Sequence, residues 1–171
     1  MRKVEVFSDN ENWRHMFKRE AFKLRTIFED EIADIHHIGS TSVPELKAKP
    51  IIDILPVVRD IHIVDDFNDE MREIGYEPKG ENGIPGRRYF EKGGDFRTHH
   101  VHIYQNGSYE IKRHVAFRDY LLVHPEMKKR YGLLKAELAE RFQYDIEAYI
   151  RGKEQLVKEI EAKALVWLKD M

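Results

Sequence analysis

His36-His37-Ile38-Gly39-Ser40-Thr41-Ser42-Val43-Pro44, followed shortly by Lys49-Pro50-Ile51-Ile52-Asp53-Ile54, is the stretch that decides the fold. An apolar segment runs into Gly39-Ser40, where backbone amides and hydroxyls can hold a phosphate. A second apolar segment then carries one isolated carboxylate, Asp53. A charge within Ile-Ile-Asp-Ile-Leu is costly unless it lies at an open strand end, is paired, or binds a metal. Two strands joined by a phosphate-sized turn, with an acid on the second, is the reading to extend outward.

Upstream, Asp9 or Asn10 can cap a first helix in which Trp13, Phe17, Leu24, Ile27 and Phe28 recur at roughly helical spacing. Residues 33–38 read as a short strand ending at Gly39. Residues 51–58, bounded by Pro50 and Pro56, read as a central strand weakened near its end by Pro56. Val64, Phe67, Met71 and Ile74 form a helical stripe that stops at Gly75, a crossover helix after the Asp53 strand. Residues 88–92 and 99–104 flank Gly93-Gly94-Asp95 and read as two antiparallel strands with a glycine-rich turn. From Tyr109 the pattern is helical, broken at His124-Pro125, resuming over 127–142 and again over 145–168. The expected fold class is α+β, a mixed and largely antiparallel sheet with flanking helices and a helical C-terminal part.

At 171 residues the chain fits one domain, 1–171, able to bury a core without disulfides. Cysteine is absent, so a metal would use oxygen or imidazole ligands. Lys+Arg number 29 against Asp+Glu 31, a net charge of -2, which argues against a dedicated binder of long nucleic acid. The N-terminal MRKVEVFSDNENW has no apolar signal region, and no stretch approaches the roughly 18 apolar residues of a membrane span. A cytoplasmic protein with no membrane partner is the expectation. Oligomeric state is left open.

Gly39, Ser40, Thr41 and Ser42 offer amides and hydroxyls to phosphates; the same residues also fit an ordinary capped helix start. His100 and His102, two apart in a strand, share one face. They can ligate a metal together with Asp53, hydrogen-bond a phosphate, or supply a general base, or they can simply fill a polar sheet face. The cations Lys49, Arg87, Arg88, Lys92, Arg97, Lys112 and Arg113 gather in the same blocks. Strand alternation puts Arg88 and Lys92 together on one face, the pair expected to line a cleft, with Arg87, Tyr89 and Glu91 on the other. Solvated edge-strand cations are the ordinary alternative. Arg113 and Arg118 are further candidates for substrate contact, against an exposed ion-pair network at Arg118 and Asp119. Ile146, Ile150, Val157, Ile160, Trp167 and Leu168 form a packing stripe on the last helix.

The blocks HHIGSTSVPELKAKPIIDI, RRYFEKGG, RTHHVHIY and KRHVAFRDYLLVHPEMKKRYGLLKAEL, in that order, resemble the GrpB-like family of the nucleotidyltransferase superfamily. The resemblance extends to Tyr149, Gly152 and Lys153. It implies a nucleotidyltransferase-like fold in which the Gly-Ser turn precedes a strand bearing metal-binding acids. The implied activity is metal-dependent transfer of a nucleotidyl group from a nucleoside triphosphate to a small acceptor, with Gly39, Ser40, Thr41, Ser42, Lys49, Arg88, Lys92 and Arg113 on the nucleotide. Asp53, His100 and His102 are the candidate catalytic and metal residues. The metal would be Mg²⁺ or Mn²⁺, or a softer ion if the histidines are ligands. Superfamily enzymes often carry a second acid two residues after the first, where this chain has Leu55. That departure favours an alternative, a catalytically degenerate module that binds a nucleotide or phosphorylated metabolite. A third possibility is hydrolysis at a His/Asp metal site. Approach of Glu91, Asp95 or Glu110 to Asp53 would favour the enzyme; a cleft lined only by histidines and cations would favour binding or a different metal chemistry.

Overall fold

The computed structural model describes residues 3–171. Asn10 Oδ1 accepts from the Asn12 amide at 2.9 Å, so helix α1 (Asn12–Phe28) begins where a side chain satisfies an amide that the helix leaves open. Trp13, Leu24 and Phe28 are buried, with Phe17 and Ile27 packed beside them, as the spacing predicts. Strand β1 (Ile32–Ile38) leads into Gly39, and β2 (Ile52–Val58) carries Asp53 near its start. The expected crossover helix is shorter than its pattern: 61–67 is a 3-10 segment and only α2 (Asn68–Glu73) is α-helical. Val64 and Met71 are nevertheless buried, because both helix types bring these residues to the same side. Strand β3 (Tyr76–Pro78) is too short for its periodicity to be seen in sequence. Then come β4 (Arg88–Lys92) and β5 (His99–Gln105), and helices α3 (Tyr109–Val123), α4 (Pro125–Arg141) and α5 (Ile146–Lys169). Pro125 separates α3 from α4 because it has no N–H with which to continue the first helix and suits the start of the second. The side chains of Ser108 and Asp145 cap α3 and α5. No helix among the described residues is long and apolar enough to cross a membrane.

The five strands lie in the order β1-β2-β5-β4-β3. β2 and β5 run parallel and the other three pairings are antiparallel, so the sheet is mixed and largely antiparallel. Pro56 lies inside β2 and does not end it. It sits opposite Ile35 of β1, and the β2–β5 pairing lapses between Ile54 and Val57, where the residue without an N–H falls.

Each face of the sheet has its own partner. Ile52, Ile54, Val101, Ile103 and Phe90 pack with α1 and with Val64 and Met71 in the main core. On the opposite face, Leu55, Val57 and Tyr104 close against Ile38, Ile84 and Ile111. Helices α3–α5 enclose a further core, into which Val43 and Leu46, from the segment between the Gly-Ser turn and β2, are inserted. That insertion ties the helices to the sheet and hangs α4 and α5 over the end of β2 that bears Asp53.

Two buried histidines support this arrangement as neutral rings. His37 stacks on Phe17 with centroids 4.8 Å apart, and its Nε2 lies 2.9 Å from Thr41 Oγ1. Burial pushes its pKa down to about 4, and His99, edge-on to Tyr76, is likewise pushed by burial to about 4. An unfolded imidazole protonates near 6.5. Between those values the unfolded chain therefore binds more protons than the folded one, so stability rises with pH across that window. Urea unfolding is expected to show full stability above pH 7 and a loss of ~2 kcal/mol at pH 5 from His37 alone. His37→Gln should flatten the profile by that amount, and an unchanged slope would contradict the assignment.

Candidate functional site

The turn after β1 is built around a close approach. Gly39 has φ 71°, and a Cβ placed on it would lie 2.8 Å from Asp53 Oδ2. Only glycine fits both the conformation and the contact. Ser42 Oγ donates to the Gly39 carbonyl, and the Thr41 hydroxyl is engaged with His37. Arg14 and Arg118 donate to the Thr41 and His37 carbonyls, each at 3.1 Å. Thr41 and Ser42 thus shape the turn, which leaves Ser40 as the hydroxyl open to a ligand in the cleft.

Asp53, His100 and His102 converge as the strand pattern predicts, because β2 and β5 are parallel with Asp53 opposite His100. Asp53 Oδ1 lies 3.1 Å from His102 Nε2 and 3.5 Å from His100 Nδ1. One donor atom from each residue falls within 4.8 Å of the others, enough to hold a metal ion. Burial alone would raise the Asp53 carboxyl, but hydrogen bonds from His100 and His102 outweigh it and hold the group well below the usual carboxylate range. Nε2 of His100 is buried with no partner among the described residues. Tyr89 packs against both rings, and His114 lies behind His102, pushed by burial to a pKa of about 3.

Among the described residues no second acid joins Asp53. Leu55 is fully buried in an apolar cluster. Glu91 pairs with Arg97 at 2.7 Å and accepts from the Tyr89 hydroxyl. Glu110 pairs with Arg113, and Asp95 lines a different cavity beyond Pro50 and Ile51. A two-ion centre built on carboxylates does not fit these residues. A single ion held by one carboxylate and imidazole nitrogen does.

Facing Asp53 across the cleft, Lys135 of α4 and Tyr149 and Lys153 of α5 meet Lys49. Lys135 is 2% exposed and forms no ion pair among the described residues; its Nζ sits 4.7 Å from the Tyr131 ring centroid. Burial, reinforced by Lys153 and Lys49 and opposed by Asp53, holds its pKa well below the ordinary lysine value. Lys153 and Lys49 lie 5.1 Å and 5.2 Å from the Tyr149 ring centroid, and the Tyr149 hydroxyl is buried without a partner among the described residues. Lys135 was invisible among the many cations of its helix. The available signal was a lysine four residues after a tyrosine in two successive helices, Tyr131/Lys135 and Tyr149/Lys153, a spacing that lays each ammonium over a ring one turn earlier.

The other expected cations are placed elsewhere. Arg88 and Lys92 do share a face, but it is the α1 face: Arg88 pairs with Asp65 at 2.7 Å and Lys92 with buried Glu20 at 2.6 Å. Pairing of Tyr89 with His102 and Glu91 with His100 turns the odd-numbered residues of β4 toward Asp53. Arg113 joins α3 to α5 through Glu110 and Glu161 and borders a neighbouring cavity of ≈ 300 Å³ that also touches Gly39, His114, Phe117 and Lys153. Arg118 pairs with Asp119. Gly152 serves packing, since a Cβ there would meet Leu138 Cδ2 at 2.5 Å.

The mixed five-stranded sheet with helices closing over one end is a nucleotidyltransferase-like fold. Cid1, in its complex with the short product ApU, has this fold: 78% of this chain and 43% of that one superpose with a TM-score of 0.55 at 16% identity. The chain belongs to the GrpB family, whose profile, GrpB protein, matches residues 3–163. It is 51% identical over 168 residues to the UPF0157 protein YqkA of Bacillus subtilis (strain 168), which covers 98% of this chain and 49% of that protein. The chain therefore spans about half the length of that relative. The crystal structure of conserved protein GrpB from Enterococcus faecalis matches 96% of this chain and 99% of its own, with a TM-score of 0.93 and 45% identity.

Two substitutions separate shape from charge at this site. Gly39→Ala should cost about 1–3 kcal/mol of stability in thermal or urea unfolding, through the positive φ and the clash with Asp53. Lys135→Met should keep the fold and raise its stability by about 1–3 kcal/mol, because a buried amine without an ion pair among the described residues is replaced by an apolar chain of similar length. A destabilised Lys135→Met would mean that the lysine has a structural role.

Proposed function

We propose that the cleft binds a nucleoside triphosphate, with Lys49, Lys135, Lys153 and Ser40 on its phosphates, and transfers the nucleotidyl group to a small acceptor. One observation carries this reading: three lysines converge on a cleft in which Lys135 is buried without an ion pair among the described residues, with Asp53 the acid that lines it. A phosphate chain supplies an anionic partner for the lysines and accepts from the Tyr149 O–H, which has no partner among the described residues. The adjoining ≈ 300 Å³ cavity shares Lys153 and touches Gly39, so a nucleoside can extend into it while its phosphates remain beside Asp53. Asp53 together with imidazole nitrogen from β5 would hold one divalent ion, which when bound supplies Lewis-acid polarisation of the reacting phosphoryl group. The lysines hold the charge that develops on the pyrophosphate as it leaves. The acceptor oxygen bonds to the α-phosphorus, the bond to pyrophosphate breaks, and the acceptor's proton passes to solvent.

A second reading follows from the missing second acid: the protein binds a nucleotide or phosphorylated metabolite without turnover. Both readings need the phosphate site, and an acceptor screen for pyrophosphate release separates them.

Calorimetric titration of ATP, GTP, CTP, UTP and inorganic tripolyphosphate, with Mg²⁺ or Mn²⁺ and with chelator, tests the site. Lys135→Met should weaken every ligand at least about tenfold, the worth of a hydrogen bond to a charged group. Asp53→Ala should remove the dependence on the ion. Because Lys135 is depressed in the free protein and its charged form gains an anion in the complex, binding should take up protons, visible as a dependence of the heat on the ionisation enthalpy of the buffer. Failure of every nucleotide and of tripolyphosphate to bind under all ion conditions would overturn the proposal.

A further inference from the structure

Arg87 is a buried guanidinium, 7% exposed, and it makes no ion pair among the described residues. It is anchored from three sides. Nε donates to the Glu81 carbonyl at 3.2 Å and Nη2 to the Asn82 carbonyl at 2.8 Å, while its Cζ lies 4.7 Å from the Tyr89 ring centroid. The remaining nitrogen, Nη1, is aimed at His102 Nδ1 at 3.4 Å. On the other side of the same ring, His102 Nε2 lies 3.1 Å from Asp53 Oδ1.

The two neighbours leave the imidazole little choice. A guanidinium has donors and no acceptor, and an ionised carboxylate has acceptors and no donor. A ring between them satisfies both only if Nδ1 accepts from Arg87 and Nε2–H donates to Asp53. We infer that Arg87 fixes His102 in the Nε2–H tautomer, making it a positioning donor to Asp53 that is withheld from metal ligation. The protein's own ion ligands are then Asp53 and His100, and the phosphates of the ligand complete the set.

A histidine that binds a metal through Nε2 carries its proton on Nδ1 and gives it to a carboxylate, carbonyl or water. Here that position is occupied by a group that can only donate. Moving Arg87 aside would break two hydrogen bonds to backbone carbonyls and strand a buried charge. His100 differs, because it meets Asp53 through Nδ1, at 3.5 Å, and its Nε2 has no partner among the described residues, so a proton on Nδ1 serves the carboxylate and leaves Nε2 open. The consequence is an ion site that is weak in the free protein and is filled together with the phosphates of the ligand. It also discriminates against a softer ion settling permanently on three protein ligands. This inference rests on the proposed function only for the role of Asp53 as an ion ligand; the tautomer does not depend on it.

Long-range ¹H–¹⁵N correlation of the histidine rings in the full chain, free of ions at pH 7.5, reads the tautomer directly, with His102→Gln used to assign the signal. A proton on Nε2 and an unprotonated Nδ1 are expected; a proton on Nδ1, alone or with one on Nε2, overturns the inference. A second arm titrates Zn²⁺ alone, without nucleotide, into wild type, Arg87→Lys and Arg87→Gln. Lysine remains only a donor, whereas the glutamine Oε1 can accept from Nδ1–H and release Nε2 to the ion. Arg87→Gln should bind Zn²⁺ at least about tenfold tighter than wild type, with Arg87→Lys close to wild type; equal affinities for all three overturn the inference. Should Arg87→Gln fail to fold by circular dichroism, the wild-type tautomer decides alone. The nucleotide titration separates the two ideas: an Nε2–H tautomer in a protein that binds no nucleotide retains the lock and discards the function, and nucleotide binding with an Nδ1–H tautomer does the reverse.

Discussion

The carboxylate of Asp53 is the charge around which the site is organised. It stands at the start of a strand whose next residues, Ile54 and Leu55, are fully buried, and two imidazoles reaching from β5 keep it ionised there. That arrangement needs β2 and β5 to be parallel neighbours in a register that sets Asp53 opposite His100. It also needs β1 to end in a residue without a side chain, because the turn passes so close to Oδ2 that a Cβ would collide. Strand order, register and one glycine are therefore all conditions of a single charged position.

Across the cleft the balance is inverted. Lys135 is buried, faces two other lysines and forms no ion pair among the described residues, its ammonium group lying against the Tyr131 ring. In free-energy terms the isolated protein carries a destabilising feature that its sequence could have avoided with an apolar residue. Such features concentrate where an external ligand supplies the missing partner. Val43 and Leu46 hold the helices that bear this strain, since their insertion in the helical core prevents α4 and α5 from swinging away and exposing the lysine to water. The lysine wall and the turn that precedes it are thus joined through one core.

Much of the architecture was legible locally. The turn chemistry of Gly39, the His100/His102 alternation, the Gly93-Gly94 connection and the His124-Pro125 break each depend on a few adjacent residues, and each holds in the fold. Arg88 and Lys92 show where local reading stops. Their sharing of a face is a property of any strand, but the direction of that face follows from cross-strand pairing of β4 with β5, which turns Arg87 and Tyr89 toward the site and gives Arg88 and Lys92 to Asp65 and Glu20. Pro56 makes a related point: its tolerance inside β2 depends on a gap in one ladder, which only the neighbouring strand reveals.

By itself the sequence determined the α+β class, the order of its elements apart from β3, the Gly-Ser turn and the Asp53, His100 and His102 donors, because periodicity, caps and turn residues act over a few positions. Only the tertiary structure decided that Lys135 and Lys153 form the opposite wall, that no second acid reaches Asp53, and that Arg87 stands behind His102. Each of those facts joins residues distant in the chain, and burial, which makes an unpaired lysine or a donor-only neighbour consequential, has no local signature.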